Sequence, residues 1–387
     1  MKSIFDREIN RRGTGSMKWD VGEKELPMWV ADMDFQTAPE VTKAIVERAK
    51  QGVFGYTLIG DEWYQAYQNW WRERHGLEIQ KEWLIFCTGV VPAISSIVRK
   101  MTTVGENVVV MTPVYNIFFN SILNNGRNVL ESRLKYDGEQ YEIDFEDLEE
   151  KLKNPQTSLL ILCNPHNPVG KIWDQKTLER IGVLCARYHV LVLSDEIHCD
   201  LTAPGKEYVP FAGVSEECRR NSITCIAPTK TFNLAGIQTA AVFVPDETLR
   251  HKVNRGLNTD EVAEPNVFAA MAPVAAFTKG AAWLDSLRVY LWENRKYAQD
   301  FIQREIPGMH AVSGEATYLL WIDATNVSLP AEVKKTGDLS EYIRQRSGLY
   351  LSDGREYRNG DGFLRMNLAC PRSRVIDGLQ RLKECFA

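Results

Sequence analysis

The feature that most constrains the fold of this chain is a series of short apolar runs in its middle, separated by stretches with helical periodicity. A run that is apolar on both faces is typical of a strand in a parallel sheet that is covered on both sides. The intervening stretches at 92–101 and 176–188 place apolar residues on one helical face. This alternation predicts an α/β fold with a mainly parallel central sheet. The strand-like runs lie at 107–112, 158–163, 190–194, 222–227 and 240–244.

The last third of the chain has a different pattern. A long helical stretch near 282–301 is followed by strand-like runs near 318–322 and 362–366 and by a closing helix near 374–385. A chain of 387 residues also exceeds the usual size of a single core, so two domains are expected. We predict an N-terminal arm at 1–45 that packs with the small domain, a large domain at 46–285 and a smaller α+β domain at 286–387.

Composition and charge argue against several classes of partner. The net charge of −5 gives no basic surface of the kind that binds nucleic acid. The apolar runs are too short to cross a membrane, and the first residues lack the apolar core of a signal peptide. The eight cysteines are scattered, which is typical of reduced thiols rather than of a disulfide framework. We therefore expect a cytoplasmic protein without a nucleic-acid or membrane partner.

Three polar residues follow three of the predicted strands, at the edge of the sheet where open α/β folds bind ligands. Lys230 follows the run at 222–227. A buried ammonium group is costly, so a lysine held there tends to lose its proton and becomes a nucleophile toward carbonyl groups. Asp195 could keep a ring nitrogen of a pyridoxal cofactor protonated, and Asn167 could donate a hydrogen bond to an oxygen of that ring.

Each of these residues also has an ordinary structural interpretation. Asn167 could be only a turn residue, Asp195 could cap a helix, and Lys230 could lie on the surface. Their order and their shared placement after strands favour a functional site.

A metal-binding protein is an interpretation of a different class. Two thiol–imidazole pairs could be imagined around zinc, but their spacing fits no common zinc motif. The residues of these pairs are Cys163, His166, His198 and Cys199.

Motifs around the three polar residues resemble the fold-type I pyridoxal-phosphate (PLP) enzymes, which form the aspartate aminotransferase superfamily. This resemblance is carried by the segments 167–170, 194–196 and 229–233. Three further segments resemble the MalY/PatB subgroup of cystathionine β-lyases, which act on cysteine S-conjugates. These segments are 27–35, 89–94 and 227–236. The similarity extends over nearly the whole chain, and it implies the fold-type I transferase fold.

The resemblance implies a role for each matching residue around the cofactor ring. Lys230 corresponds to the lysine that forms a Schiff base with PLP and later serves as the base at Cα. Asp195 corresponds to the partner of the pyridine nitrogen, and Asn167 to the donor toward the phenolic oxygen. Tyr115 corresponds to the aromatic residue that stacks on the ring, and His198 lies near the ring oxygen.

The resemblance also implies how the phosphate group is bound. Gly89, Val90 and Val91 match the phosphate loop at a helix N-terminus, and Thr229 is a further residue expected to bind the phosphate. Tyr56 matches a tyrosine that reaches the phosphate of the neighbouring subunit. The expected assembly is therefore a homodimer with shared active sites.

The amino-acid substrate has its own predicted contacts. Arg365 matches the arginine that binds the substrate α-carboxylate, and Tyr115 and Asn167 complete this part of the site. A guanidinium group in an apolar strand needs an anion, and its planar fork suits a carboxylate.

Three positions depart from the aminotransferase pattern. His198 stands where aminotransferases have a tyrosine near the ring oxygen. Gln238 replaces a phosphate-binding arginine, and Ala227 replaces a phosphate-binding serine. These differences favour the lyase subgroup, and they leave phosphate binding to Thr229, backbone amides and Tyr56.

The activity implied by the resemblance is that of a PLP-dependent carbon–sulfur lyase. Such an enzyme eliminates a thiol from cystathionine, cysteine or a related S-conjugate and yields pyruvate and ammonia. The thiol is homocysteine from cystathionine and hydrogen sulfide from cysteine. An aminotransferase with the same lysine and cofactor is the nearest alternative. A regulatory binding protein is an alternative of another class, although no surface in the sequence identifies a partner.

Overall fold

The computed structural model describes residues 3–329, 333 and 338–386. The predicted N-terminal arm and small domain each include a few residues outside these ranges. The structure is an α/β fold, and the prediction of this fold class is confirmed.

The strands in the described part of the chain fall into two larger sheets and two short pairs. They are β1 (Leu26–Pro27), β2 (Leu84–Cys87), β3 (Asn107–Thr112), β4 (Asn128–Arg133), β5 (Lys135–Tyr136), β6 (Tyr141–Glu142), β7 (Thr157–Cys163), β8 (Leu191–Asp195), β9 (Ser222–Ile226), β10 (Ala240–Phe243), β11 (His310–Ala311), β12 (Leu319–Asp323), β13 (Leu349–Tyr350), β14 (Ser352–Asp353) and β15 (Phe363–Asn367).

The helices in the same ranges lie between and around these strands. They are α1 (Pro39–Lys50), α2 (Asp61–His75), α3 (Val90–Met101), α4 (Ile117–Leu123), α5 (Phe145–Lys153), α6 (Gln175–Arg187), α7 (Glu216–Arg220), α8 (Pro228–Thr231), α9 (Glu247–Thr259), α10 (Met271–Lys279), α11 (Ala281–Glu305), α12 (Leu339–Ser347) and α13 (Arg372–Glu384).

The central sheet has seven strands in the order β2-β10-β9-β8-β7-β3-β4. The five strands from β9 to β4 are parallel to one another, whereas β10 is antiparallel to both of its neighbours. Every residue of β3, β8, β9 and β10 is buried. Apolar clusters cover both faces of the sheet, which explains why these strands are apolar along their whole length.

The second large sheet lies in the C-terminal part of the chain and is antiparallel, in the order β11-β12-β15-β14. The N-terminal segment reaches this region, because β1 pairs in parallel with β13. The long helix α11 runs across the predicted boundary between residues 285 and 286. The division into an arm at 1–45, a large domain and a small domain stays a prediction.

Two helices near the N-terminus have no counterpart among the sequence predictions. Helix α2 buries an aromatic face that includes Trp63, Tyr67, Trp70 and Trp71. Helix α1 buries little of its surface, and Val41 is its fully enclosed residue. Both helices are rich in polar residues, so their apolar faces give a weak periodic signal. No helix in the described ranges has both the length and the apolar character needed to cross a bilayer.

Candidate active site

A cavity of about 270 Å³ opens where β7 and β8 end, beside the first residues of α3 and α8. Ligands of open α/β folds bind at this edge because the loops that leave parallel strands converge there. The lining residues are Ala31, Thr88, Gly89, Val90, Val91, Pro92, Tyr115, Cys163, Asn167, Asp195, Ile197, His198, Thr229, Lys230, Ala235 and Gln238.

Nine of the eleven predicted site residues line this one cavity. They come from five separate parts of the chain, and the fold brings them together: Gly89, Val90, Val91, Tyr115, Asn167, Asp195, His198, Thr229 and Lys230. The two others, Tyr56 and Arg365, are not among the lining residues. The roles of all eleven residues toward a cofactor and a substrate stay predictions.

Lys230 lies in the short helix α8, which begins two residues after the end of β9. Its Nζ donates to the backbone oxygen of Ala31 at 2.5 Å. Burial and the positive charge of Arg365 lower the pKa of Lys230, Asp32 and Asp195 raise it, and the resulting pKa is about 8. The neutral, nucleophilic amine is therefore much more abundant near neutral pH than it is for an ordinary lysine.

Asp195 is the last residue of β8, and its carboxylate faces the cavity. One of its oxygens accepts from the backbone N–H of Ile197 at 3.2 Å. Burial raises the pKa of Asp195 to about 7, against the lowering effects of that hydrogen bond and of Lys230. Within the described residues this carboxylate forms no ion pair closer than 4.0 Å. The site therefore holds a buried acid that lacks a cationic partner.

The start of α3 also lines the cavity. Gly89 caps this helix, and Val90 and Val91 are its first two residues. Their backbone N–H groups have no partner within the helix, because the first turn of any helix leaves such groups free. A side chain at Gly89 would lie 3.2 Å from Cδ of Pro92, so the tight entry favours glycine. This end of the cavity is suited to an anionic group.

Tyr115 and His198 supply ring systems to the walls of the cavity. Burial raises the pKa of Tyr115 to about 12, so its hydroxyl stays protonated at neutral pH. Burial, reinforced by the charges of Lys230 and Arg365, lowers the pKa of His198 to about 3. His198 is therefore neutral, and among the residues that the structure describes its buried Nδ1 has no hydrogen-bond partner.

Arg365 lies behind the cavity wall, in the middle of β15. Its Nη1 donates to Oδ1 of Asn167 at 3.2 Å, and its Nη2 donates to the backbone oxygen of Trp29 at 2.9 Å. Its guanidinium group lies over the ring of Tyr357, 4.8 Å from the centroid. Arg365 is 5% exposed, yet in the described part of the chain no carboxylate lies within 4.0 Å of it. Its charge is therefore available to an incoming anion.

Tyr56 lies outside the cavity and is fully exposed. It belongs to a stretch in which Val53, Phe54 and Leu58 are also largely exposed. Within one chain Tyr56 therefore makes no visible contribution to the site. The prediction that it serves a neighbouring subunit stays open.

The segment Trp29–Phe35 forms a wall of the cavity through Ala31. Its backbone oxygens are held by side chains from distant parts of the chain. Asn367 donates to the oxygens of Val30 and Asp32, and Asn233 donates to those of Met33 and Phe35. Tyr318 joins Lys230 on the oxygen of Ala31, at 2.9 Å. A segment without regular secondary structure is thereby fixed beside the lysine.

Several lining residues lie outside the sequence predictions, among them Thr88, Cys163, Ile197 and Ala235. Thr88 directly follows β2, a four-residue strand that the sequence analysis does not predict. Ile197 lies between Asp195 and His198, so its position in the motif is the signal that could have identified it. Of the three departures from the aminotransferase pattern, Gln238 lines the cavity and Ala227 does not.

The four residues of the imagined zinc site are not brought together as a ligand set. In the described ranges Cys199 lies instead with His75 and Asp200, with one ligand atom of each within 4.8 Å of the others. Both oxygens of Asp200 already accept hydrogen bonds from protein donors. These bonds account for the cluster without a metal ion.

The residues of the cavity fit the pyridoxal phosphate expected from the sequence. Asp195 is an unpaired buried acid that suits a protonated pyridine nitrogen, and Lys230 is an amine suited to an aldehyde. The unpaired Nδ1 of His198 and the amide of Asn167 offer polar contacts at the ring edge. The first turn of α3 offers N–H groups to the phosphate.

Comparisons with known proteins agree with this geometry. The chain is 40% identical to cystathionine β-lyase PatB of Bacillus subtilis over 390 residues, covering 99% of this chain and all of that protein. The structure of cystalysin from Treponema denticola, which contains a pyridoxal 5′-phosphate cofactor, superimposes with a TM-score of 0.94 at 31% identity, covering 100% of this chain and 99% of the other. A PLP-bound C-S lyase from Staphylococcus hominis gives a TM-score of 0.91 at 31% identity, covering 99% and 98%.

The family assignment follows from the extent of these matches. The sequence profile described as aminotransferase class I and II matches residues 24–382, which is nearly the whole chain. The chain therefore belongs to the aminotransferase class I and II family.

Proposed function

We propose that this chain is a PLP-dependent carbon–sulfur β-lyase that acts on cysteine derivatives with a sulfur substituent at Cβ. The observation that carries this proposal is the convergence of Lys230 and Asp195 on one buried cavity in a chain that is 40% identical to a cystathionine β-lyase. The products are a thiol, pyruvate and ammonia. The similarity to a PLP-bound C-S lyase supports the same reaction and the same cofactor.

The cofactor supplies the electronic part of the reaction. When it is bound, the protonated pyridine ring of PLP withdraws electrons from Cα of the substrate, which acidifies the Cα proton and allows the Cβ–S bond to break. Asp195 would maintain the proton on the ring nitrogen, because a buried carboxylate without a cation gains most from a positively charged partner. Asn167 would orient the ring, and the first turn of α3 would anchor the phosphate.

Lys230 has two tasks in this proposal. Its Nζ would hold the cofactor, and the same Nζ would accept the proton from Cα of the bound substrate. A pKa near 8 suits both tasks, since the neutral amine that attacks or accepts a proton is available at physiological pH. The oxygen of Ala31 keeps this amine at a defined place in the cavity.

Arg365 orients the substrate by binding its α-carboxylate. The guanidinium group is already held by Asn167, Trp29 and the ring of Tyr357, so it loses little side-chain freedom when the anion arrives. Its Nε has no acceptor within the described part of the chain, which leaves a donor for the carboxylate. Because Asn167 contacts both the cavity and Arg365, it connects the cofactor site to the substrate site.

The substrate range is proposed to include cystathionine, cysteine and related S-conjugates. The thiol product is then homocysteine or hydrogen sulfide. Incubation of the purified protein with each compound, in the absence of any keto acid, tests this range and the reaction type together. A lyase releases pyruvate and thiol in equal amounts, whereas an aminotransferase leaves the C–S bond intact and converts the substrate into its own keto acid when a keto-acid acceptor is added. Formation of that sulfur-containing keto acid only with an acceptor, without release of thiol, would overturn the proposal.

We further propose that the enzyme is a homodimer in which Tyr56 reaches the phosphate site of the partner subunit. The full exposure of Tyr56, together with the exposed Val53, Phe54 and Leu58, supports this assembly, because apolar patches of this kind usually mark an interface. We also propose a cytoplasmic location. All eight cysteines are free and buried, which suits a reducing compartment.

A further inference from the structure

Asp200 is a fully enclosed carboxylate that binds three donors from two helices. Its Oδ1 accepts from Nε1 of Trp70 and is paired with Nε2 of His75, each at 2.9 Å. Its Oδ2 accepts from Oγ1 of Thr231, also at 2.9 Å. Trp70 and His75 lie near the end of α2, whereas Thr231 is the last residue of α8. Asp200 thus connects α2 to the helix that carries Lys230.

Asp200 also belongs to the turn that carries three residues of the cavity. Asp195, Ile197 and His198 line the cavity, and the chain then turns so that Asp200 lies on the side away from it. The turn is closed by two backbone bonds, from Cys199 N to Glu196 O and from Leu201 N to His198 O, both at 3.0 Å. A displacement of Asp200 would therefore move the cavity side of the same turn.

Helix α8 depends on such an external contact for its position. It has only four residues, and so short a helix is not stable by its own hydrogen bonds. The side chain of Thr231 is fully buried, and Asp200 is the partner of its hydroxyl. Because Thr231 directly follows Lys230, this bond acts one residue away from the lysine.

The charge of Asp200 strengthens the contact. Burial raises its pKa, but the hydrogen bonds and charge of His75, together with the bonds from Trp70 and Thr231, more than compensate and leave the pKa below its ordinary value. The carboxylate is therefore ionised at neutral pH, and hydrogen bonds to an ionised acceptor are stronger than those between neutral groups.

We propose that Asp200 is a positioning residue that fixes the lysine-bearing helix against the turn of Asp195 and His198, and so sets where the Lys230 amine lies relative to the cofactor ring. This inference rests on the proposed function, since it assigns Lys230 to the cofactor. Asp200 itself is not among the residues that line the cavity. It acts through the hydroxyl of Thr231 on one side and through its own turn on the other.

Two matched variants separate positioning from general stability. Thr231→Val removes the hydroxyl that donates to Asp200 from the lysine-bearing helix α8, and it keeps the shape of the side chain. Trp70→Phe removes the indole N–H that donates to Asp200 from helix α2. Thr231→Ser retains the hydroxyl and serves as the rescue. Thr231→Ala replaces Thr231→Val if the valine variant does not fold.

The readouts on the holoenzyme are the pH midpoint of the visible absorbance of the lysine-linked cofactor, kcat for pyruvate formation, and the thermal midpoint. We expect Thr231→Val to shift the absorbance midpoint by about half a pH unit and to lower kcat roughly tenfold. Thr231→Ser and Trp70→Phe should leave the absorbance midpoint at the wild-type value, although Trp70→Phe lowers the thermal midpoint. The inference would be overturned if the absorbance midpoint is unchanged in Thr231→Val, or in Thr231→Ala where that variant replaces it. It would also be overturned if Trp70→Phe shifts the midpoint as much as the Thr231 variant does.

The failure of the underlying function gives a different result. Borohydride reduction of the wild-type holoenzyme, followed by peptide mass analysis, reports whether the cofactor is attached to Lys230. If no cofactor mass is found on the peptide that contains Lys230, then the proposed function fails together with this inference. If the cofactor is found there and the variants behave as the wild type, only the role of Asp200 is refuted.

Discussion

At the scale of single residues, burial shifts the pKa values of two cavity residues in opposite directions. It lowers the pKa of Lys230 to about 8 and raises that of Asp195 to about 7. Both shifts bring the groups closer to neutrality, because a low-dielectric environment disfavours either charge. The lysine thereby becomes a nucleophile, and the aspartate becomes an acid that a cationic ring nitrogen would stabilise in its ionised form.

The lowered pKa of Lys230 predicts the pH dependence of its reaction with an aldehyde. Only the neutral amine attacks, so in protein stripped of cofactor the rate of attachment of pyridoxal should rise between about pH 7 and 9, with its midpoint near the pKa of about 8. An ordinary lysine has a pKa of 10.5 and would still be mostly protonated in this range. Attachment is measured by borohydride trapping and mass analysis of the Lys230 peptide.

One control accompanies this measurement. Lys230→Ala should abolish both trapping in this peptide and pyruvate formation. A midpoint for Lys230 close to the ordinary lysine pKa of 10.5 would contradict the effect of burial.

Arg365 is predicted to determine the affinity for amino-acid substrates. Arg365→Ala removes the charge that meets the α-carboxylate, and the loss of one partner from a buried charge pair costs about 3 kcal/mol, or on the order of a hundredfold in kcat/KM. Most of this loss should appear in KM, because the carboxylate is bound in both the ground state and the transition state. Steady-state kinetics with cystathionine or cysteine measures the change.

The matched control for Arg365 is Arg344. Its guanidinium pairs with Glu25 at 2.6 Å at a partly exposed site. Arg344→Ala should leave KM within about twofold of the wild-type value, since surface pairs contribute little. An unchanged KM in Arg365→Ala would refute the carboxylate role.

At the scale of elements, the cavity depends on irregular segments that regular elements hold in place. The loop after β7 carries Asn167 and ends at Gly170, whose φ of +72° lies in the left-handed region. The backbone oxygen of Gly170 accepts from the N–H groups of Glu315 and Ala316 at 2.7 and 2.9 Å. A Cβ at Gly170 would lie 2.8 Å from the oxygen of Ala316. The loop is thus docked against the C-terminal part of the chain through a position that only glycine fills without strain.

Gly170→Ala is predicted to destabilise the fold and to disturb Asn167. The left-handed backbone costs about 1 kcal/mol for alanine, and the contact with Ala316 should add roughly 1–3 kcal/mol. Gly13→Ala separates these effects, because Gly13 has a φ of +71° and open space around its Cβ position. Calorimetry should show a larger fall in thermal midpoint for Gly170→Ala, with a loss of kcat/KM that Gly13→Ala lacks. Equal falls in the two variants would argue against the contact.

Much of this arrangement could be predicted from the sequence, for a physical reason. Strands β3, β7, β8 and β9 are apolar on both faces because the sheet is covered on both sides, and polar residues at or shortly after their carboxyl ends must lie at one edge. That rule alone places Asn167, Asp195 and Lys230 together. The assignment to elimination rather than transamination came from the family resemblance.

The remainder depends on contacts that no local pattern encodes. Strand β2 has four residues and pairs with β10, which follows it by about 150 positions. The bond between Arg365 and Asn167 joins residues that are 198 positions apart. Asn233 and Asn367 look like ordinary polar residues until the fold brings them to the oxygens of the segment Trp29–Phe35. The sequence therefore predicted the residues that line the cavity more completely than it predicted the long-range contacts that hold those residues in place.

At the scale of the whole molecule, one chain leaves the proposed phosphate site without Tyr56. The exposed stretch that includes Val53, Phe54, Tyr56 and Leu58 presents large apolar side chains to solvent, which a second copy would cover. A twofold dimer uses the same surface on both subunits, so each Tyr56 would enter the site of the other chain. The arrangement predicts that activity depends on residues supplied by both subunits.

Mixed dimers of two inactive variants test this sharing. Consider a dimer of one Lys230→Ala subunit and one Tyr56→Ala subunit. The site of the Lys230→Ala subunit lacks both residues, because its own lysine and the tyrosine of its partner are replaced. The site of the Tyr56→Ala subunit retains both, because its own lysine and the tyrosine of its partner are intact. Random reassociation of equal amounts makes about half of the dimers mixed, and each mixed dimer has one intact site of its two. About a quarter of the wild-type activity should therefore return. Activity is measured after denaturation and refolding of equal mixtures, with the dimer verified by light scattering.

The control pairs Lys230→Ala with Asp195→Ala. Both residues line the same cavity of one chain, so every site in the mixed dimer lacks one of them and activity should not return. If the mixture with Tyr56→Ala only reproduces the average of its parents, then Tyr56 does not serve the partner subunit. Because the two mixtures share the lysine variant, refolding losses affect them alike, and a difference between them can arise only from which chain contributes the second residue.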